Sequence, residues 1–236
     1  MGTGWLEGRT GVVTGASRGI GRATAEALAR AGMAVVLAAR SADELDEVAS
    51  TLRDEGCDAT AIATDVSRPD EVDRLFEMAG VPSVLVCAAG ILDKALIEDT
   101  TPEMWSRTLS TNLTGTFLCC RAAMRAMRPN GGGRIVTFAS LSGVYATEKF
   151  PGLGAYNVSK YGVVGLTEAI AVEGRDDDIS AVCISPGAVD TQMLRAAAPH
   201  LNPGLTPDDV GRLVVSLLDS DLAPISGANI PLFSNR

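Results

Sequence analysis

Thr14-Gly15-Ala16-Ser17-Arg18-Gly19-Ile20-Gly21 is the stretch that decides the fold. Before it, Thr10–Thr14 reads as a short apolar strand. After it comes an Ala-rich helix from about Arg18 to Ala31, with Gly32 as its cap. In such a strand–turn–helix unit Gly15 permits the tight turn and Gly19 lets a ligand approach the backbone. Gly21 allows the helix to pack closely on the strand. The helix N-terminus offers unpaired N–H groups and a positive dipole end, which suit a pyrophosphate. A sharp βα turn can use glycine for steric reasons alone. The position after the first strand of a βαβ unit favours the dinucleotide reading.

Working outward, the chain alternates strand and helix. Met33–Ala38 is a continuous apolar run, as in a parallel strand buried on both faces. Ser41 with Glu44 predicts a capping box and a helix to about Glu55. Strand Asp58–Ala63, helix Pro69–Ala79 and strand Ser83–Cys87 follow. A long helix is predicted from Thr101, with Pro102 in its first turn, to about Met127. Pro129-Asn130-Gly131-Gly132-Gly133 breaks it, ahead of strand Arg134–Ala139. A helix then runs to about Glu173, followed by strand Ile179–Ile184 and a loop with a short helical piece. A helix Pro207–Leu218 and a last strand near Ala228–Leu232 complete the chain. The pattern predicts one α/β domain over residues 1–236. Its fold class is a Rossmann-type, doubly wound parallel sheet with helices on both faces.

Composition narrows the function. Apolar residues make up 46%, enough for one sizeable core, and the net charge of −9 argues against nucleic acid or an anionic membrane as partner. Cys57, Cys87, Cys119, Cys120 and Cys183 show no zinc-like spacing and read as reduced thiols of a cytoplasmic protein. His200 is the single histidine, so a His-based metal site or Ser-His-Asp triad is not expected. The first residues lack the pattern of a signal peptide. Met1-Gly2 suggests myristoylation, but Leu6 stands where Ser or Thr is wanted. The apolar run Val84–Leu92 is too short to cross a bilayer.

The chemistry concentrates in Tyr156-Asn157-Val158-Ser159-Lys160. On a helix, positions i and i+4 share a face, so the phenol and the ammonium point into one space. A free tyrosine has a pKa of about 10. A nearby cation lowers it and makes a usable general acid/base. Tyr145 and Lys149 repeat the spacing, but Pro151-Gly152-Leu153-Gly154 follows and no continuing helix can form there.

Taken together, these features resemble the short-chain dehydrogenase/reductase family, classical type, with 3-oxoacyl-[acyl-carrier-protein] reductase-like members nearest. The three residues between Gly15 and Gly19 match its glycine spacing. Asp65-Val66 looks like its adenine-contacting pair, and Cys87-Ala88-Ala89-Gly90 resembles its Asn-Ala-Ala-Gly motif. Asn112, Ser140, Tyr156 and Lys160 match its catalytic set. Pro186-Gly187, with Val189 and Thr191, resembles the segment contacting the nicotinamide. The resemblance implies proton exchange with a carbonyl/alcohol pair by Tyr156 and substrate orientation by Ser140. It further implies that Lys160 binds the nicotinamide ribose and that Asn112 holds a relay water.

The resemblance also has departures. Cys87 replaces the motif's asparagine, and the Ser140–Tyr156 connection is about three residues longer than usual. Ser226–Leu232 lacks the family's acidic-Gly-Gly ending. Ala39 removes the carboxylate that an NAD site places after the second strand, while Arg40 and Arg18, beside Ser17 and Ile20, suit a 2′-phosphate. Asp43 is the nearby carboxylate still able to reach a ribose. The expected cofactor is therefore NADP(H). A 3-oxoacyl thioester is the leading substrate, ahead of a small ketone, steroid or sugar. The alternative is a catalytically silent NADP-binding sensor on the same fold. Arg121, Arg125 and Arg128 cluster where an acidic carrier protein could dock, though cations there also complement the helix dipole. Gly162, Gly165, Ala169 and Ala171 are small enough for close helix approach, so a homodimer or homotetramer is expected.

Overall fold

The computed structural model describes residues 4–147, 149–219 and 221–234; Met1-Gly2 lies outside them. The strands are β1 (Thr10–Thr14), β2 (Ala34–Ala39), β3 (Ala59–Ala63), β4 (Val84–Cys87), β5 (Gly133–Phe138), β6 (Ile179–Pro186) and β7 (Asn229–Leu232). They form one parallel sheet in the order β3-β2-β1-β4-β5-β6-β7. Strand order reverses between β1 and β4, and a doubly wound sheet opens its ligand crevice at such a switch point.

Alternate strand residues feed two cores. Val13, Leu37 and Val136 pack with α1 (Gly19–Arg30), α2 (Ala42–Asp54) and α8 (Pro207–Leu218) on one face. Val12, Leu85 and Ile135 pack on the other with α3 (Pro69–Ala79), α5 (Gly115–Met127) and α6 (Gly154–Gly174). The period-two alternation of strand side chains is what divides the apolar residues between the faces.

Two local expectations need correction. Ser41 is the N-cap of α2, but its side chain makes no cap hydrogen bond, and Glu44 faces the ligand crevice instead of closing a box. The capping box of this chain lies at α8. There the Thr206 hydroxyl accepts from the Asp209 N–H at 3.2 Å, and Asp209 accepts from the Thr206 N–H at 2.8 Å. The long helix is also interrupted. α4 (Pro102–Leu109) passes through a π turn, Ser110–Thr114, before α5 begins. The Thr116 hydroxyl donates to the Asn112 carbonyl at 2.8 Å, while the Asn112 side chain is drawn inward to Ile91. Side-chain competition for helix carbonyls and π turns at functional positions often go together.

Candidate active site

At β1 the chain turns sharply because Gly15 sits at φ +69°, in the left-handed region. A Cβ there would lie 2.7 Å from the Ala88 carbonyl oxygen and the Ala89 nitrogen, so the β1 turn and the end of β4 touch backbone to backbone. Gly21 faces the Gly15 carbonyl with no room for a side chain. The two glycines together leave an open crevice in front of the α1 N-terminus. Gly15, Ser17, Arg18, Gly19, Ile20 and Gly21 line it, and Ala88, Ala89 and Gly90 form the facing wall. Such a cradle fits a pyrophosphate.

At one end of the crevice stand Arg40, Asp65 and Val66 beside Ala39, with Arg18 on the turn. Asp65 is fixed by accepting from the Ser67 N–H at 2.9 Å and the Ser67 hydroxyl at 2.7 Å. No ion pair is formed by Arg18 or Arg40 among the described residues. Sequence reasoning passed over Glu44, Thr64 and Ser41 on this wall, because helical and strand patterns do not report which way a polar side chain turns.

At the other end are Tyr156, Lys160, Pro186 and Thr191, with Gln192 and Met193 from α7 (Gln192–Ala197). Tyr156 and Lys160 share a face of α6, as their spacing predicts. Lys160 is buried, lies 5.6 Å from the Tyr156 ring centre and donates to the Phe138 carbonyl at 2.8 Å. Burial brings its ammonium down from 10.5 to about 8, against the opposing pull of the Cys183 and Cys87 thiols. Burial pushes the Tyr156 phenol above its ordinary value, and its hydrogen bond with Ser140 offsets part of that rise. The expected lowering of Tyr156 by Lys160 is therefore not what sets its direction; burial is. Phe138 contributes through its backbone carbonyl, a role that side-chain identity does not disclose.

Asn112 is fully buried and outside the crevice lining. Its side chain accepts from the Ile91 N–H at 2.8 Å and donates to the Ile91 carbonyl at 2.9 Å and the Ser159 hydroxyl at 3.1 Å. The amide thus ties the segment after Gly90 to the Tyr156 helix. Ser140 hydrogen-bonds Tyr156 but is not part of the crevice lining, and its hydroxyl also accepts from the Ser142 N–H at 3.2 Å. Gly187 and Val189 do not line the crevice. Gly187 packs beneath the loop against Ser234, and Val189 is buried in the core beside Leu205. Cys87 sits buried with its sulfur 3.9 Å from that of Cys120, and hydrogen bonds with the Cys119 and Cys120 thiols, together with burial, push it well above the ordinary range. It is a filler, not a nucleophile. Among the described residues no group of His, Cys, Asp or Glu is arranged to hold a metal ion.

The order of these parts along the chain is matched by a family model for short chain dehydrogenase over residues 9–202. The chain belongs to the short-chain dehydrogenase family. It is accordingly an oxidoreductase acting on a CH–OH/C=O pair, in a family that binds NAD(P). It is 36% identical over 193 residues to a 3-oxoacyl-[acyl-carrier-protein] reductase of Synechocystis sp., covering 80% of this chain and 77% of that one. An NADPH-dependent aldehyde reductase-like protein of Arabidopsis thaliana is 36% identical over 205 residues, covering 80% and 75% of the two chains. Among solved structures, a provisionally named NAD(P)-dependent gluconate 5-dehydrogenase from Beutenbergia cavernae, with NADP at low occupancy, superimposes with a TM-score of 0.88. It is 33% identical, and the match covers 97% of this short-chain dehydrogenase and 96% of the other chain.

Proposed function

We propose that this chain, as one domain over residues 1–236, is an NADP(H)-dependent carbonyl reductase of the cytoplasm. The observation that carries the reading is a single crevice with Tyr156 and Lys160 at one end and the unpaired Arg18 and Arg40 at the other. Position 39, where an NAD site wants a carboxylate, is alanine. A 2′-phosphate suits two guanidinium forks. Glu44 stands on the same wall, so both cofactors belong in the test. The NADP of the Beutenbergia structure and the NADPH of the Arabidopsis relative's name support the same choice.

When bound, the cofactor supplies hydride. Tyr156, protonated at neutral pH, gives its phenolic proton to the carbonyl oxygen, or as phenolate takes a proton from the alcohol in reverse. Ser140 donates to the same oxygen and holds the carbonyl in place. Lys160 is a buried cation beside the Tyr156 ring that would hold a ribose hydroxyl of the cofactor, and Asn112 fixes the Gly90–Ile91 wall. A 3-oxoacyl thioester is the leading substrate, supported by likeness to the Synechocystis reductase. The protein associates as a homodimer or homotetramer. Among the described residues no helix is long and apolar enough to cross a membrane.

The test is an NADPH- and NADH-oxidation screen over thioesters, aldehydes, ketones, steroids and sugars. Turnover with NADPH on at least one class is expected. Tight cofactor binding with no turnover on any class would reject the reductase.

A further inference from the structure

The last described residues do not end at the sheet. Leu232 pairs with Pro186 in the β6–β7 ladder, and the Gly187 N–H donates to the Leu232 carbonyl at 2.9 Å. Beyond that point the ladder stops, and the next backbone donor, the Ala188 N–H, needs another acceptor. The Ser234 hydroxyl takes it at 2.7 Å, from a residue only 4% exposed. The fit is close on two sides. A Cβ on Gly187 would lie 2.8 Å from the Ser234 hydroxyl oxygen, and the Ser234 carbonyl abuts Gly204 with no space for a side chain.

Gly204 belongs to the segment that returns from α7. There Val189 bridges Leu205, and the Asp190 N–H donates to the Leu205 carbonyl at 2.9 Å. The tail therefore wedges between the two ends of the chain excursion that carries α7. Pro186 and Thr191, at the two ends of the 187–190 loop, both line the cofactor crevice.

We propose that Ser234 is a positioning residue: its hydroxyl accepts from the Ala188 N–H just past the end of the β6–β7 ladder and fixes the 186–191 loop beside the cofactor crevice. The loop clamp follows from geometry alone, whereas its effect on cofactor affinity rests on the dinucleotide reading above. Ser234→Ala removes the acceptor of the part-buried Ala188 N–H, so the loop gains freedom while the strands behind it keep their packing. Gly187→Ala disturbs the same contact from the opposite side by crowding the hydroxyl.

Amide hydrogen exchange on the full chain, followed by mass spectrometry, tests the clamp. Ser234→Ala and Gly187→Ala are expected to speed exchange over residues 187–191 by roughly tenfold, with β1 and β4 unchanged. NADPH affinity, read by fluorescence titration, falls about fivefold to tenfold. For Ser234→Ala the limiting rate at saturating NADPH stays within about twofold, because Ser234 touches no reacting group. Unchanged exchange at 187–191 overturns the proposal, and so does faster exchange with unchanged NADPH affinity. If the wild type binds neither NADPH nor NADH while the loop still responds to both substitutions, the clamp stands and the cofactor reading fails.

Discussion

Lys160 donates its ammonium hydrogen bond to the Phe138 carbonyl, 2.8 Å away, at the back of the active-site crevice. A carbonyl satisfies only part of what water gives a cation, and burial brings Lys160 down to about 8. The sign of the linked stability follows. The folded chain binds the Lys160 proton less tightly than the unfolded chain, so protonated Lys160 destabilises the fold below pH 8. That cost is relieved as pH rises from about 8 towards 10.5, the unfolded chain's value.

Lys160→Met should therefore abolish most turnover yet raise the stability of the cofactor-free protein at pH 7 by about 1–2 kcal/mol. The removed ion costs on the order of 3 kcal/mol, and the orphaned Phe138 carbonyl returns about 1 kcal/mol of that. Thermal melts of both proteins at pH 7, 8, 9 and 10 should show the gap closing with pH. A variant that melts lower at every pH by a constant amount contradicts this account.

Tyr156→Phe should lower turnover by roughly 10²–10⁴-fold while leaving NADPH affinity within about twofold, because it removes one proton donor and almost no surface. Tyr145→Phe should stay within about twofold of wild type, since Tyr145 is 88% exposed and away from the crevice. Burial raises Tyr156 but brings Lys160 down to about 8, so the reduction rate should be flat through neutral pH and fall above about 8 as Lys160 loses its charge, before the phenol ionises. Steady-state kinetics over a pH series measures both. Equal losses in the two variants would mean that the wrong tyrosine has been chosen.

Much of this was legible in the sequence because it depends on period and spacing. The apolar runs of β2 and β4 and the three-residue gap from Gly15 to Gly19 fix the sheet and the cradle. The i,i+4 step from Tyr156 to Lys160 sets the helix face that both side chains turn to the crevice. What escaped depends on where backbone groups end up. The Phe138 carbonyl under Lys160 and the π turn at Asn112 leave no side-chain signature. Ser41 and Glu44 spell a capping box, yet Glu44 turns to the crevice. Lys149 has a structural role that spacing did not show. It donates to the Val144 carbonyl at 2.6 Å and the Leu141 carbonyl at 3.1 Å, pinning the long connection after Ser140. Arg128 neither serves its own helix end alone nor stands free, since it ion-pairs with Asp177 at 2.9 Å and donates to the Glu173 carbonyl that ends α6.

Arg40→Asp should cost roughly 10- to 100-fold in NADPH affinity and leave NADH binding equal or tighter. The substitution swaps a charge-assisted donor for a carboxylate able to accept from a ribose hydroxyl. Arg18→Ala should show a weaker effect in the same direction. Paired fluorescence titrations with the two cofactors decide it. A wild-type protein that already binds NADH more tightly than NADPH would sink the idea.

Association is the last expectation, and the structure divides the small residues of α6 into two groups. Gly162 is needed within the chain, because a Cβ there would lie 2.7 Å from Leu113, and Ala171 is buried in the core. Gly165 has open space before it and Ala169 is exposed, with Val158, Tyr161 and Val172 exposed along the same helix. Positions 158, 161, 165, 169 and 172 recur at helical spacing and form one apolar stripe; Phe117 of α5 and Trp105 of α4 are exposed as well. A stripe with small residues at its centre lets a second copy of the helix approach closely. Light scattering at micromolar concentration should give a dimer or tetramer. Ala169→Arg, which places a bulky charge at the centre, should give a monomer whose melting temperature is lower but whose NADPH binding persists. A wild-type monomer, or a variant that remains assembled, would reject this surface.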